Sequence, residues 1–242
     1  MRYENISPAV FISRPNRFIA NVEIDGKIFE CHVKNTGRCK ELLLSGTKVF
    51  VNNTNNPKRR TKYDLIAVCK GDVLVNMDSQ APNKVVYEWI NANGLLGSPA
   101  NILKPEYRFG DSRIDFYAET DKGKYLIEVK GVTLEEDGIA KFPDAPTQRG
   151  VRHINELIKS ADIGYLPMII FVIQLDAVKA FRPNWKTHPE FGKALQRAKE
   201  KGVRILAMDC YVAPDSLSLK SEIPIELQHE PIGNLKAKGK DK

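Results

Sequence analysis

The chain has 242 residues, of which 42% are apolar, and its 37 Lys and Arg against 30 Asp and Glu give a net charge of +7. This length allows one large or two small domains with a buried core, and the positive charge favours an anionic partner such as nucleic acid. The composition excludes a helical membrane span, because the longest apolar run, residues 168–173, has only the length of a strand, and it excludes a Cys-x-x-Cys zinc site.

The N-terminus lacks the basic region and apolar stretch of a signal peptide, so we expect a cytoplasmic protein without membrane contact.

The first eighty residues contain short segments in which apolar and polar residues alternate, and turns separate these segments. Five or six short strands in this length are typical of an OB-type barrel, which holds single strands or oligonucleotides. We therefore predict an OB-like barrel in residues 1–80. The predicted strands are residues 9–13, 17–24, 27–34, 47–52, 65–69 and 73–76.

Several side chains of this barrel are candidate nucleic-acid contacts. The segment Asn35-Thr36-Gly37-Arg38 follows a strand and precedes a predicted short helix at residues 39–45. Its glycine either exposes backbone N–H groups that cradle a phosphate, or Asn35 closes an Asx turn. Phe18 either stacks on a base or, as its alternating apolar neighbours favour, belongs to the core. The candidate contacts are Arg14, Arg17, Phe18, Lys34, Asn35, Thr36, Arg38, Arg59 and Arg60.

Two clusters account for the positive excess. Residues 57–62 carry four positive charges and residues 235–242 carry a net three. For the first cluster the sequence favours phosphate contact, because the loop would project from the barrel. For the second it favours a solvated terminus.

A linker near residues 78–83 leads to the second predicted domain, residues 81–242. Val85, Val86, Trp89 and Ile90 recur at helical spacing, which predicts an amphipathic helix over residues 83–93 with Gly94 as its stop. Glu88 on this helix is either an outer metal ligand or, as we favour, a solvated side chain.

Residues 112–130 predict a β-hairpin with carboxylates and a lysine on one face. With Lys122-Gly123 as the two-residue loop, Asp115 lies opposite Lys130 and diagonal to Glu128. A divalent cation fits between the two carboxylates. The alternative is a surface hairpin with an Asp–Lys ion pair, which is common and worth little.

The remaining segments complete an α/β pattern. Thr147 is predicted to cap a helix to about residue 160, residues 168–175 form a buried strand, Thr187 caps a helix to about residue 201, and residues 203–208 form another strand. Gln148, Arg149 and His153 lie on the first of these helices. Arg149 suits bidentate phosphate binding, and His153 either donates a proton, holds phosphate or is structural. Asp144 either caps this helix, as we favour, or approaches the metal.

Two levels of resemblance support a site in the hairpin. Asp115-x(12)-Glu128-x-Lys130 resembles the core of the PD-(D/E)xK phosphodiesterases, whose Asp and Glu hold Mg²⁺ while the Lys positions or activates water. The longer phrases Gly-Asp-Ser-Arg-Ile-Asp-Phe, Glu-Val-Lys-Gly-Val-Thr and Phe-Pro-Asp-Ala-Pro-Thr-Gln-Arg-Gly-Val-Arg-His are similar to the sugar fermentation stimulation protein family. This resemblance covers nearly the whole chain and implies a DNA-binding protein. One departure is His188, where the family pattern has an Asp before the proline.

We therefore predict an OB-like barrel followed by a restriction-endonuclease-like α/β domain of the PD-(D/E)xK type. The expected function is a nuclease dependent on Mg²⁺ or Mn²⁺ that acts on DNA, with RNA as a further substrate, and a homodimer is a further expectation. Asp115 and Glu128 are the predicted metal ligands, and Asp115, Glu128, Lys130 and His153 are the predicted catalytic residues. The alternative is a non-catalytic DNA-binding regulator of sugar-metabolism genes. A sugar-metabolic enzyme is disfavoured, because no nucleotide loop, Ser-His pair or glycosidase-like acid pair is present.

Overall fold

A computed structural model of the chain describes residues 1–35 and 37–229. Within these ranges no helix is both long and apolar enough to cross a bilayer. The elements, in chain order, are β1 (Ile6–Asn16), β2 (Ile19–Ile24), β3 (Lys27–Val33), β4 (Lys48–Asn53), β5 (Tyr63–Lys70), β6 (Val73–Asn76), α1 (Ala81–Asn93), β7 (Ile102–Phe109), β8 (Ser112–Thr120), β9 (Gly123–Val132), β10 (Leu134–Glu136), β11 (Ile139–Phe142), α2 (Gln148–Ala161), β12 (Leu166–Ile173), β13 (Ala180–Pro183), α3 (Pro189–Glu200), β14 (Arg204–Ala213) and β15 (Ser216–Glu222).

Five strands close the N-terminal barrel. Antiparallel pairing follows the order β3-β2-β1-β4-β5, and a parallel pairing of β3 with β5 closes the ring. Ala20 and Val22, like Val49 and Val51, are buried at every second position, as expected where one face of a strand lines a core. The predicted OB-like barrel is confirmed. β6 extends β5 as a hairpin.

The predicted helix at residues 39–45 was wrong. The segment makes a single turn, in which the N–H groups of Leu42 and Leu43 both bond to the carbonyl of Cys39. Leu42 is buried, whereas Leu44 is exposed. A helix this short cannot offset the cost of its own nucleation.

The second domain is built on a six-stranded sheet with the order β15-β14-β12-β9-β8-β7. The three central strands β9, β12 and β14 run parallel, and β12 is buried along almost its whole length. α1 packs on one face of the sheet, and α2 and α3 pack on the other. The predicted succession of one helix, three strands and two helix–strand units is confirmed.

Two parts of this domain were not predicted. A small sheet, β10-β11-β13, follows β9 and contacts the main sheet, and β15 adds an antiparallel edge to β14. The strands of the small sheet are only three or four residues long, too short to show an alternating pattern.

The predicted starts of α2 and α3 can be compared with the structure. Thr147 caps α2 as predicted, because its hydroxyl accepts the N–H of Gly150 at 3.0 Å. Helix α3 begins one residue later than predicted, after His188.

A buried amide joins the barrel to the second domain. Gln174, 1% exposed, follows β12, and its carbonyl accepts a bond from the N–H of Asn76 at 2.8 Å. Its side-chain Nε2 donates to Asn76 Oδ1 at 2.9 Å and to the carbonyl of Asp78 at 3.0 Å. Hydrogen bonds buried away from water favour a single packing arrangement, so the barrel is held in one position against the sheet.

Candidate functional site

The β8–β9 hairpin has a different register from the predicted one. Thr120 pairs with Gly123 and Tyr117 with Leu126, so the loop is Asp121-Lys122 and not Lys122-Gly123. The hydroxyl of Thr120 accepts the N–H of Lys122 at 3.0 Å, which fixes the turn one residue earlier, and Gly123 adopts its positive φ as the first residue of β9. The shift of two residues keeps every side chain on its predicted face.

The observed register brings the carboxylates of Asp115 and Glu128 side by side at the end of the ladder. The last ladder pair is Phe116 with Ile127, and the next position along each strand is Asp115 and Glu128. Asp115 is therefore opposite Glu128 and not opposite Lys130 as predicted. Its Oδ2 accepts the N–H of Val129 at 2.8 Å, so a backbone donor of β9 orients the carboxylate.

Asn83 in the first turn of α1 is a site residue that the sequence analysis missed. Its Nδ2 donates to Asp115 Oδ1 at 2.9 Å. Burial raises the pKa of Asp115, and the neighbouring Glu128 carboxylate raises it further. Asn83 lies three and seven residues before Val86 and Ile90, both fully buried. The position of this polar residue on the apolar face of the predicted helix could therefore have indicated that Asn83 belongs to the site.

Glu128 is the most deeply buried charge of the site. The carboxylate is 2% exposed, and its Oε1 accepts from Lys130 Nζ and from His153 Nδ1, the latter at 2.5 Å. Burial alone would raise the pKa of Glu128, but the hydrogen bonds from His153 and Lys130 outweigh burial and hold it below its usual range. Its second oxygen, Oε2, is buried and has no hydrogen-bond partner among the residues that the structure describes.

His153 supports Glu128 from helix α2. Arg149 Nε donates to His153 Nε2 at 3.2 Å, and the opposite ring nitrogen contacts Glu128. A neutral imidazole with its proton on Nδ1 satisfies both bonds. Since both ring nitrogens are engaged, His153 orients Glu128, as a partner in the shell around a metal ligand does.

The site fits a small divalent cation held mainly by water. No three His, Cys, Asp or Glu residues form a metal-binding group within the described ranges, so the protein offers two carboxylates at most. Mg²⁺ accepts this, because it keeps several waters and binds through one or two carboxylates. The unpartnered Glu128 Oε2 supplies the observation that favours a cation, since a buried carboxylate oxygen without a donor is costly.

The predicted phosphate contacts on α2 lie near this site. Arg149 is exposed, and no contact within the described part of the chain occupies its two terminal nitrogens. Gln148 is also exposed and lies 3.5 Å from the ring of buried His188. Asp144 neither caps α2 nor approaches Asp115, because its Oδ2 accepts the N–H of Arg38 from the barrel at 3.0 Å. Glu88 faces away, with its carboxylate 2.7 Å from the Met1 amino group.

On the barrel, Arg14 organises the loop that was predicted to bind phosphate. Its guanidinium donates to the carbonyls of Arg17, Asn35, Gly37 and Arg38 at 2.8–3.0 Å. Asn35 Oδ1 accepts the N–H of Gly37 at 2.8 Å, so the Asx turn is present. Arg14 is thus a support for the loop. Thr36 and residues 235–242 lie outside the described residues.

Arg17, Arg38 and Lys40 form an exposed cationic surface beside that loop. They line an open cavity that Ala145 of the second domain also borders, and no carboxylate pairs with them within the described ranges. Phe18 is 48% exposed, so the preference for a core position was wrong. The Arg17 guanidinium lies 5.4 Å from the centre of its ring. An exposed aromatic ring and the cation that contacts it therefore lie at the edge of this cationic surface.

Arg59 and Lys34 are less available. Arg59 binds Asp64 through both terminal nitrogens, at 2.6 and 3.1 Å, and Lys34 lies 3.1 Å from Asp78 and 3.4 Å from Asp64. Arg60 is largely exposed and only 3.5 Å from the exposed Glu30. Of the cluster at residues 57–62, Lys58, Arg60 and Lys62 are exposed, whereas Arg59 is held by Asp64.

Asp64 predicts a pH dependence of stability. Burial opposes its charge, but the hydrogen bond from Arg59 and the charge of Lys34 outweigh burial, so its pKa lies below the usual value. Because the folded pKa is lowered, ionised Asp64 stabilises the fold above the unfolded pKa of about 3.9, and this contribution is lost as the pH falls through the folded pKa. We expect the free energy of unfolding to fall more steeply below about pH 4 in the wild type than in Asp64→Asn. Urea denaturation at several pH values tests this, with exposed Asp72→Asn as control; equal slopes would contradict it.

Fold and site together define a class: an OB barrel joined to an α/β domain that carries an Asp, a Glu and a Lys on one hairpin. Residues 12–77 match the family model described as the SfsA N-terminal OB domain, and residues 80–216 match the sugar fermentation stimulation protein RE domain. The chain belongs to the sugar fermentation stimulation protein family.

Named relatives agree along almost the whole chain. Sugar fermentation stimulation protein homologs of Clostridium beijerinckii and Ruminiclostridium cellulolyticum are 55% and 56% identical over 227 residues, covering 94% of this chain and 100% of each relative. The structure of Pyrococcus furiosus SfsA in complex with Ca²⁺ is 32% identical with a TM-score of 0.83, over 93% of this chain and 98% of that one.

Proposed function

We propose that this protein is a divalent-metal-dependent nuclease that hydrolyses phosphodiester bonds, with DNA as its main substrate. The observation that carries the proposal is the closeness of Asp115 and Glu128, which follow the last ladder pair of the hairpin and interact through their charges, with Glu128 Oε2 buried and without a hydrogen-bond partner among the described residues. Two buried carboxylates would weaken phosphate binding unless a cation lay between them and the phosphate. The solved relative is described as a complex with Ca²⁺, which, like Mg²⁺, prefers oxygen ligands.

The residues divide the work of hydrolysis between them. Asp115 and Glu128 would hold Mg²⁺ or Mn²⁺, which when bound lowers the pKa of a water and neutralises charge on the phosphate. Asn83 and the Val129 N–H orient Asp115, and His153 orients Glu128. Lys130, 18% exposed, is placed to orient the attacking water or to stabilise the charge that develops on the phosphorane.

Arg149 and the barrel surface would bind the rest of the strand. The free terminal nitrogens of Arg149 suit a phosphate oxygen pair. Arg17, Arg38 and Lys40 would contact further phosphates along the barrel. Such contacts make the affinity for nucleic acid fall as the salt concentration rises. The logarithm of the binding constant falls with the logarithm of the salt concentration, with a slope of about −0.9 per phosphate contacted on duplex and about −0.7 on single strands.

A cleavage assay separates this proposal from its alternative, a DNA-binding regulator in which the hairpin cuts nothing. End-labelled single- and double-stranded DNA and RNA are incubated with the protein and Mg²⁺, Mn²⁺ or EDTA, beside Lys130→Ala. We expect metal-dependent cleavage that EDTA and Lys130→Ala abolish. Salt-sensitive binding without cleavage on every substrate would favour the regulator.

Phe18 predicts a contribution of base stacking to binding. Its exposed ring lies against Arg17, which lines the same cavity as Arg38 and Lys40, and exposed rings beside cations are typical of proteins that bind single strands. We expect Phe18→Ala to weaken binding of a single-stranded oligonucleotide by about 1–3 kcal/mol. Fluorescence anisotropy in EDTA measures this. Tyr87→Ala, which removes an equally accessible ring from α1, is the control, and equal affinities for the two variants would contradict the prediction.

The expected homodimer stays a prediction. β7 is one free edge of the main sheet, but Lys104 and Pro105 are exposed on it. Charged residues and proline oppose strand pairing at an edge. A dimer would therefore use another surface of the protein.

A further inference from the structure

A cavity of about 180 Å³ lies where the barrel meets the second domain. One wall is the end of β9, Gly131 to Thr133, which directly follows Lys130. Asn35 of the barrel and Phe142 at the end of β11 form two further parts of the wall. The cavity therefore begins one residue beyond Lys130 along the same strand.

The cavity is built by contacts that hold the two domains together. Asp144 accepts the Arg38 N–H at 3.0 Å, and Lys70 Nζ donates to the carbonyl of Glu135 at 2.6 Å. The ring of Phe142 packs against Phe171 and Phe191, with ring centres 5.8 and 5.1 Å away. These contacts fix the walls, so a ligand would meet a preformed site and not have to open one.

Polar atoms without protein partners face this space. Gln174 is 1% exposed, and its Nε2 is bonded to the barrel while its Oε1 has no hydrogen-bond partner. A Cβ atom at position 131 would lie 2.6 Å from that Oε1. The space beside this oxygen therefore exists because residue 131 is a glycine. Asn35 uses its Oδ1 within the barrel, which leaves its Nδ2 as a donor, and Asp144 keeps Oδ1 as an acceptor.

We propose that this cavity takes one unpaired nucleobase, from the nucleotide next to the phosphate held at Asp115, Glu128 and Lys130. One free donor, two free acceptors and an aromatic wall match the edge and face of a base that has left its stack. The volume, roughly that of six water molecules in the liquid, suits a single base and not a base pair. The inference rests on the proposed function for its substrate class, nucleic acid. It adds that the strand must be single-stranded, or have one base extruded, at this position.

The test uses single-stranded oligonucleotides with 2-aminopurine at successive positions, titrated with the full-length protein in Ca²⁺ and checked for cleavage by gel, beside the matched duplexes. Fluorescence of this base rises several-fold when it leaves the stack. We expect one position to respond at least twofold more than its neighbours. Ser79→Phe, at the exposed rim of the cavity, should remove that response, and Ser218→Phe, at an exposed position of β15, should not. Gln174→Leu, beside the control Gln196→Leu, should reduce it independently.

Three results would overturn the inference. These are a uniform response along the strand, equal responses from Ser79→Phe and Ser218→Phe, or tighter binding of free deoxynucleoside monophosphates than of the strand, which would make the cavity a small-molecule site. A protein that cleaves in Mg²⁺ but shows no position-specific response in Ca²⁺ would keep the nuclease and lose the base site. Failure to bind any nucleic acid would instead reject the proposed function.

Discussion

Asp115→Asn is expected to lower the rate of metal-dependent cleavage by at least about 100-fold, because a catalytic cation stabilises the transition state by several kcal/mol and each 1.4 kcal/mol is tenfold. The neutral amide keeps the shape of the carboxylate and can still accept the Val129 N–H. Single-turnover cleavage of an end-labelled oligonucleotide measures the loss. Asp121→Asn, the same change in the exposed β8–β9 loop, should cleave like the wild type.

The same variant should fold at least as stably as the wild type. Burial and Glu128 both disfavour the charge on Asp115, so its removal relieves an unfavourable interaction. Active sites often hold residues that cost stability. Loss of cleavage together with loss of folded protein would make Asp115 a structural residue and contradict the proposed role.

Phe171→Ala is expected to destabilise the second domain by about 3–5 kcal/mol, the usual cost of emptying a large buried aromatic site. Phe171 is fully buried in β12, and its ring stacks on that of Phe181 with centres 4.1 Å apart. It also contacts Phe142 and Phe191, so this ring joins the main sheet, the small sheet and α3. Urea denaturation followed by circular dichroism measures the change.

Tyr211→Ala is the matched control for this substitution, because Tyr211 lies on the neighbouring strand β14 with its ring 59% exposed. Its loss should shift the free energy of unfolding by much less. Equal shifts for the two variants would show that the aromatic cluster is not the centre of the core.

The two-domain architecture could be predicted from local patterns. Val49 and Val51 illustrate the two-residue period that marks a barrel strand, and the apolar run of β12 marks a strand buried on both faces. Thr147 and Gly94 mark the start of α2 and the end of α1 as predicted. These features depend on residues that are close in the sequence, and they could therefore be predicted from it.

The geometry of the site could be predicted only in part. The shared face of Asp115 and Glu128 follows from the two-residue period, but their register depends on the hydroxyl of Thr120, which selects the turn. Asn83 approaches Asp115 only through the packing of α1 on the sheet. Phe18 is exposed because it lies in the turn between β1 and β2 and not within the strand predicted for residues 17–24.

The cation site at Asp115 and Glu128 is the centre of this account, and Mn²⁺ binding tests it most directly. Electron paramagnetic resonance detects free Mn²⁺, so titration of the purified protein without nucleic acid gives the bound fraction. We expect wild type and Asp121→Asn to bind Mn²⁺ alike and Asp115→Asn to bind at least about tenfold more weakly. Equal binding by Asp115→Asn and wild type, or no binding by either, would contradict the account.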